Sequence, residues 1–103
     1  MIKLTDLPGL IERLMAFDRV ANVTRFTRWG GDCYAYCLLA MGLIDVVVES
    51  SLQAYDVQAL MPIVEAAGGT ITTWDGGRCD EGGSVVACGD RALHARVLEL
   101  LAL

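Results

Sequence analysis

A chain of 103 residues with 54% apolar side chains can build one small domain around a single core. Its net charge of −5 and lack of basic clusters exclude the phosphate-neutralising surface that nucleic-acid binding requires. The longest apolar stretch, Cys33 to Ile44, is broken by Gly42 and stopped by Asp45, well short of the roughly 20 residues that span a bilayer.

In chain order, Met1-Ile2-Lys3-Leu4 passes straight into Thr5-Asp6-Leu7-Pro8, so no secretory leader is expected and the chain reads as cytoplasmic. A first helix is predicted from near Asp6, with Pro8 in its first turn and Leu10, Ile11, Leu14 and Phe17 on one stripe. Val23 to Trp29, rich in β-branched and aromatic residues, predicts a strand. Gly30-Gly31 breaks it, and Asp32 can cap a helix from Cys33 to about Met41 that Gly42 ends. That helix is apolar nearly all round and is expected to be buried.

Ile44 to Glu49, with its Val46-Val47-Val48 run, predicts a central strand that ends in a carboxylate. A short loop then brings Asp56 to the start of a helix, Val57 to about Ala67, whose stripe is Val57, Leu60, Met61, Val64 and Ala67. Pro62 falls inside that helix and should kink it, and Gly68-Gly69 ends it. Thr70 to Trp74 is a strand, Asp75-Gly76-Gly77 a turn, Arg78 to Gly83 a polar loop and Ser84 to Cys88 a short strand. Asp90 caps a last helix on which Leu93, Val97, Leu100 and Leu101 line up, while His94 reads as a surface residue.

Alternating helices and strands predict a layered α/β domain, with a mixed, partly parallel sheet of about four strands flanked by helices. Residues 1–22 form the N-terminal helix and lead-in of this single domain, and 23–103 its body. Ligands of such sheets collect beyond the carboxyl ends of strands, where the Gly30-Gly31-Asp32 turn and the Glu49-to-Asp56 segment both fall. Read one at a time, these residues have plain structural uses: Asp56 and Asp32 as helix caps, Glu49 as a solvated strand end, Gly30-Gly31 as a turn. Cys33, Cys37, Cys79 and Cys88 lack CxxC spacing and are expected as free thiols. The Cys33–Cys37 pair shares a helix face, but a zinc site would need two more ligands, and His94 is remote in sequence.

Taken in register, several segments occur in order: Gly30-Gly31-Asp32, Gly42-Leu43-Ile44-Asp45, Glu49, Tyr55-Asp56-Val57-Gln58-Ala59, Glu65-Ala66-Ala67-Gly68-Gly69, Trp74-Asp75-Gly76 and Val85-Val86-Ala87-Cys88-Gly89-Asp90. From about Thr24 onward the chain resembles the C-terminal half of the inositol-monophosphatase-like phosphatases. Arg28-Trp29-Gly30-Gly31-Asp32-Cys33-Tyr34-Ala35-Tyr36 and Tyr55-Asp56 with Pro62 look most like the histidinol-phosphate phosphatase branch. The resemblance implies that Asp56 is a Mg²⁺ ligand and that Gly30, Gly31, Asp32 and Glu49 are substrate contacts. It also implies a reaction in which metal-activated water attacks a phosphate monoester.

The family's other ligands, an upstream glutamate and an Asp-Pro-x-Asp-Gly-Thr segment, have no counterpart here, since the chain contains no Asp-Pro pair. Mg²⁺ demands near-octahedral oxygen coordination, so one aspartate and a separate glutamate cannot fix two cations. The expectation is therefore a chain inactive alone, partnered by a complementary N-terminal half or by itself. The high apolar share also predicts a covered surface, most simply in a homo-oligomer. The alternative is a non-catalytic oligomeric module that binds a small molecule or is purely structural. A dinucleotide-binding fold is disfavoured, because no GxGxxG joins a strand to a helix.

Overall fold

A computed structural model describes residues 10–24 and 32–102. The elements are α1 (Leu10–Ala21), α2 (Asp32–Ala40), β1 (Val46–Gln53), α3 (Ala54–Ala66), β2 (Thr70–Thr73), β3 (Gly82–Cys88) and α4 (Arg91–Ala102). The predicted strand at Val23–Trp29 begins with two residues that instead close α1 in a turn, with Val23 N–H donating to Val20 O and Thr24 N–H to Ala21 O. Its remainder, and the start of the first helix near Asp6, lie outside the described residues.

The layered α/β expectation holds, and its parallel component is corrected. Among the described residues the sheet has the order β1-β3-β2, and β3 pairs antiparallel with both neighbours. β1 and β2 do point the same way, but β3 lies between them, so no parallel ladder forms there. Among these three strands β3, rather than the valine run of β1, is in the middle. Its Val85 and Ala87 enter a core shared with Tyr36, Val57 and Val64, while Val86 and Cys88 enter a second core with Ala16, Val97 and Leu101. Successive side chains of a strand point to opposite faces, so this one strand joins two cores. Helices α2 and α3 cover one face, and α1 and α4 the other.

The helix stripes follow the predicted spacing with local corrections. In α3, Val57, Leu60, Met61 and Val64 are buried, whereas Ala67 sits exposed at the C-cap. In α1 Ala16 and Val20 are buried, while Leu14 faces solvent. Helix α2 is not buried all round: Tyr36 and Leu39 are inside, but Cys33 and Tyr34 are exposed. Pro62 lies within α3 on its exposed side, where the carbonyl that loses its partner can meet water.

Both predicted glycine stops hold, by one mechanism. Gly42 and Gly68 adopt φ of +82° and +89°. Gly42 N–H and Leu43 N–H donate to Leu39 O and Leu38 O, and Gly68 N–H and Gly69 N–H to Glu65 O and Val64 O. Each pair satisfies the last carbonyls of its helix in a Schellman arrangement. At the start of α4, Asp90 Oδ1 accepts from Leu93 N–H at 2.8 Å, the expected cap. Its far end is closed from another layer, because Arg19 of α1 donates to Leu100 O at 2.6 Å and Leu101 O at 3.1 Å.

Candidate functional site

The predicted strand end and loop between Glu49 and Asp56 are replaced by a continuous strand with a bulge. Glu49 pairs with Val85 and Leu52 with Gly83, so β1 carries one residue more than β3 in this stretch. Bulges of this kind bend the strand and re-aim its side chains. The bend is anchored by the buried Ser50, whose Oγ lies 3.3 Å from Ser84 Oγ. β1 then continues to Gln53 and enters α3 without a loop. Gly82 makes the junction possible: with φ at +86°, any Cβ there would come within 2.3 Å of Leu52 O.

Two predicted roles change as a result. Asp56 is not the N-cap of its helix but its third residue, and its Oδ2 accepts from Gln53 N–H at 3.1 Å. This is the carboxylate half of a capping box, and it also places negative charge in the first turn, where the helix dipole favours it. Glu49 is not a solvated strand end but a side chain only 6% exposed. It alternates with Val48 along β1 and therefore points to the α2–α3 side of the sheet.

Facing it from α2 is Tyr36, 1% exposed, whose hydroxyl has no hydrogen-bond partner among the described residues. Burial holds the phenol well above its ordinary ionisation, and the Glu49 carboxylate adds to this through its charge and its approach to the hydroxyl. Cys79 and Asp56 act in the same sense more weakly. Sequence reading had placed Tyr36 among buried helix residues and gave it no part in the site; an aromatic hydroxyl on the buried face of an otherwise apolar helix was the signal.

Of the remaining predicted contacts, Gly30 and Gly31 lie outside the described residues, and Asp32 is described only as the first residue of α2. No cluster of three or more His, Cys, Asp or Glu suited to a metal ion occurs among the described residues. The four thiols are free, with Cys33 exposed and Cys79 and Cys88 buried. Burial pushes the Cys79 thiol up and that of Cys88 to about 12, so both are poor nucleophiles.

Grooves among the described residues lie elsewhere. Two adjoining grooves, of about 390 and 560 Å³, share Met61, Glu65 and Arg78 on the side of α3 that faces β2. Neither includes Glu49 or Asp56. His94, read from sequence as a surface residue, is buried, with Nε2 2.7 Å from Thr72 Oγ1.

A three-layer α/β/α arrangement, with the inward-facing Glu49 on β1 and Asp56 in the first turn of the helix that follows, defines the class of this protein. The chain belongs to the inositol monophosphatase family, whose profile matches residues 5–102. It is 44% identical over 95 residues to the bifunctional phosphatase IMPL2 of Arabidopsis thaliana, covering 84% of this chain and 28% of that protein. It is 39% identical over 95 residues to the histidinol-phosphatase of Mycobacterium tuberculosis, covering 91% and 35% respectively. Among solved structures, an inositol monophosphatase from Zymomonas mobilis superposes with a TM-score of 0.86 at 41% identity, over 90% of this chain and 38% of that one. The chain therefore spans about a third of the length of the relatives it matches.

Proposed function

We propose that this chain is the C-terminal half of a phosphate-monoester phosphatase of the histidinol-phosphate type, carrying the substrate-side wall and one cation ligand. The inward-facing Glu49 on β1, with Asp56 in the first turn of the helix that β1 enters, is the observation that carries this reading. Asp56 keeps one oxygen on the Gln53 amide and offers the other to a hard cation, while Glu49 accepts from hydroxyl or ammonium groups of the ligand. The names of the histidinol-phosphatase relatives favour histidinol phosphate over an inositol phosphate.

The residues described do not fit a complete Mg²⁺ site. A magnesium ion takes about six oxygens, and here a single carboxylate is presented with no cluster around it. The lone chain is accordingly proposed to be inactive, with the missing donors supplied by an N-terminal half. The deciding assay is phosphate release from histidinol phosphate with Mg²⁺, by this chain alone and mixed with such a half. Release is expected only from the mixture; substantial turnover by the lone chain would refute the incomplete site.

The second reading, a non-catalytic self-associating module, is favoured by exposed apolar side chains at Met15, Met41, Leu43 and Tyr55. A stable dimer in sedimentation, together with no heat from Mg²⁺ or Mn²⁺ in calorimetry, would select it.

A further inference from the structure

Tyr36 presents a cost that the fold alone does not explain. A hydroxyl taken out of water without a partner is unfavourable, and phenylalanine would fill the same space without that penalty. The residue nonetheless carries its hydroxyl into the core that also holds Val57, Cys79 and Val85, on the side of the sheet where Glu49 turns inward opposite Val85. The carboxylate is itself nearly buried and needs a donor to hold one orientation. Tyr36 packs on the α2–α3 side of the sheet, the same side to which Glu49 points from its place opposite Val85, so the hydroxyl and the carboxylate belong to one buried layer.

We propose that Tyr36 is a positioning residue for Glu49: its buried hydroxyl donates to one carboxylate oxygen, fixes the side chain in one rotamer and leaves the other oxygen for a hydroxyl- or ammonium-bearing ligand. Tyr36 does not touch that ligand; it acts through Glu49. The claim rests on the reading of Glu49 as a substrate-side residue, but the hydrogen bond itself can be tested without catalysis.

The experiment is NMR on the 103-residue chain with labelled tyrosine and glutamate at neutral pH. Tyr34 and Tyr55 are exposed and serve as internal references. The Tyr36 hydroxyl proton should be protected from exchange and shifted downfield, as expected of a donor to a charged acceptor. That shift should be lost in Glu49→Leu and kept in Asp56→Asn. In Tyr36→Phe, which keeps the packing shape, the side-chain couplings of Glu49 should change from those of one rotamer to averaged values.

Unaltered Glu49 couplings in Tyr36→Phe would overturn the proposal, even if Glu49→Leu failed to fold. A hydroxyl shift that depends on Asp56 instead of Glu49 would overturn it as well. Either failure leaves the phosphatase reading standing, whereas inactivity of the mixed halves leaves this hydrogen bond standing.

Discussion

The amide of Gln53 donates to Oδ2 of Asp56 at 3.1 Å, so the carboxylate proposed to face a cation also ties down the first turn of α3. Fold and site meet in one side chain, and substitutions there separate the two roles. Asp56→Ala removes the acceptor and should cost about 1 kcal/mol of stability, as loss of a capping interaction does. Asp56→Asn keeps an acceptor oxygen and should melt close to the parent, yet abolish phosphate release by the reassembled halves. Urea titrations of both variants beside the mixing assay make the comparison.

Gly82 and Gly83 both adopt positive φ, and only one has a neighbour in the way. Gly83→Ala, with open space around it, should cost about 1 kcal/mol, the penalty of a left-handed alanine. Gly82→Ala adds a clash with Leu52 O at the strand-to-helix junction, and should cost clearly more, about 3 kcal/mol or loss of folding. Thermal unfolding of the pair tests whether the close approach, beyond the backbone conformation alone, demands glycine.

Burial lowers the ionisation of His94 below the ordinary imidazole value of about 6.5. The unfolded chain then binds a proton more readily than the folded one, so this contribution to stability is complete above that value. It is lost as the pH falls toward the depressed folded value. Because the Thr72 hydroxyl donates to Thr73 O at 2.7 Å, it accepts from His94 Nε2–H, which places the neutral ring's hydrogen on that nitrogen. His94→Gln should flatten the pH dependence of the urea midpoint on the acid side while leaving the neutral-pH transition cooperative.

Arg19 should matter far from its own helix. Arg19→Met keeps much of the apolar stem but removes both bonds to Leu100 O and Leu101 O, at a cost of about 1–2 kcal/mol. Hydrogen exchange should accelerate in the last turn of α4 more than in α1. Equal loss of protection in the two helices would mean that the arginine serves general packing rather than this cap.

Much of the fold was legible because local patterns carry it. The spacing of Val57, Leu60, Met61 and Val64, the stops at Gly42 and Gly68, the Asp90 cap and the β2 and β3 segments follow from helical period, positive φ and capping chemistry. What misled was equally specific. The valine run of β1 suggested the central strand, and Val47 and Val48 do reach the two cores, but among the described strands β3 with its glycine-rich start lies in the middle. The run from Glu49 to Asp56 resembled a loop because its serines and Gln53 are poor strand formers; a bulge paired across to β3 absorbs them.

By itself the sequence determined the layered class, the helix stops at Gly42 and Gly68, the Asp90 cap and the family, since each depends on residues close along the chain or on motifs in order. Only the tertiary structure decided that Glu49 turns inward, that Asp56 is the third residue of its helix and that Tyr36 buries its hydroxyl on the face to which Glu49 points. These outcomes depend on how far β1 slides along β3 and on which helix lies over Val85. Such long-range registry leaves no trace in local spacing.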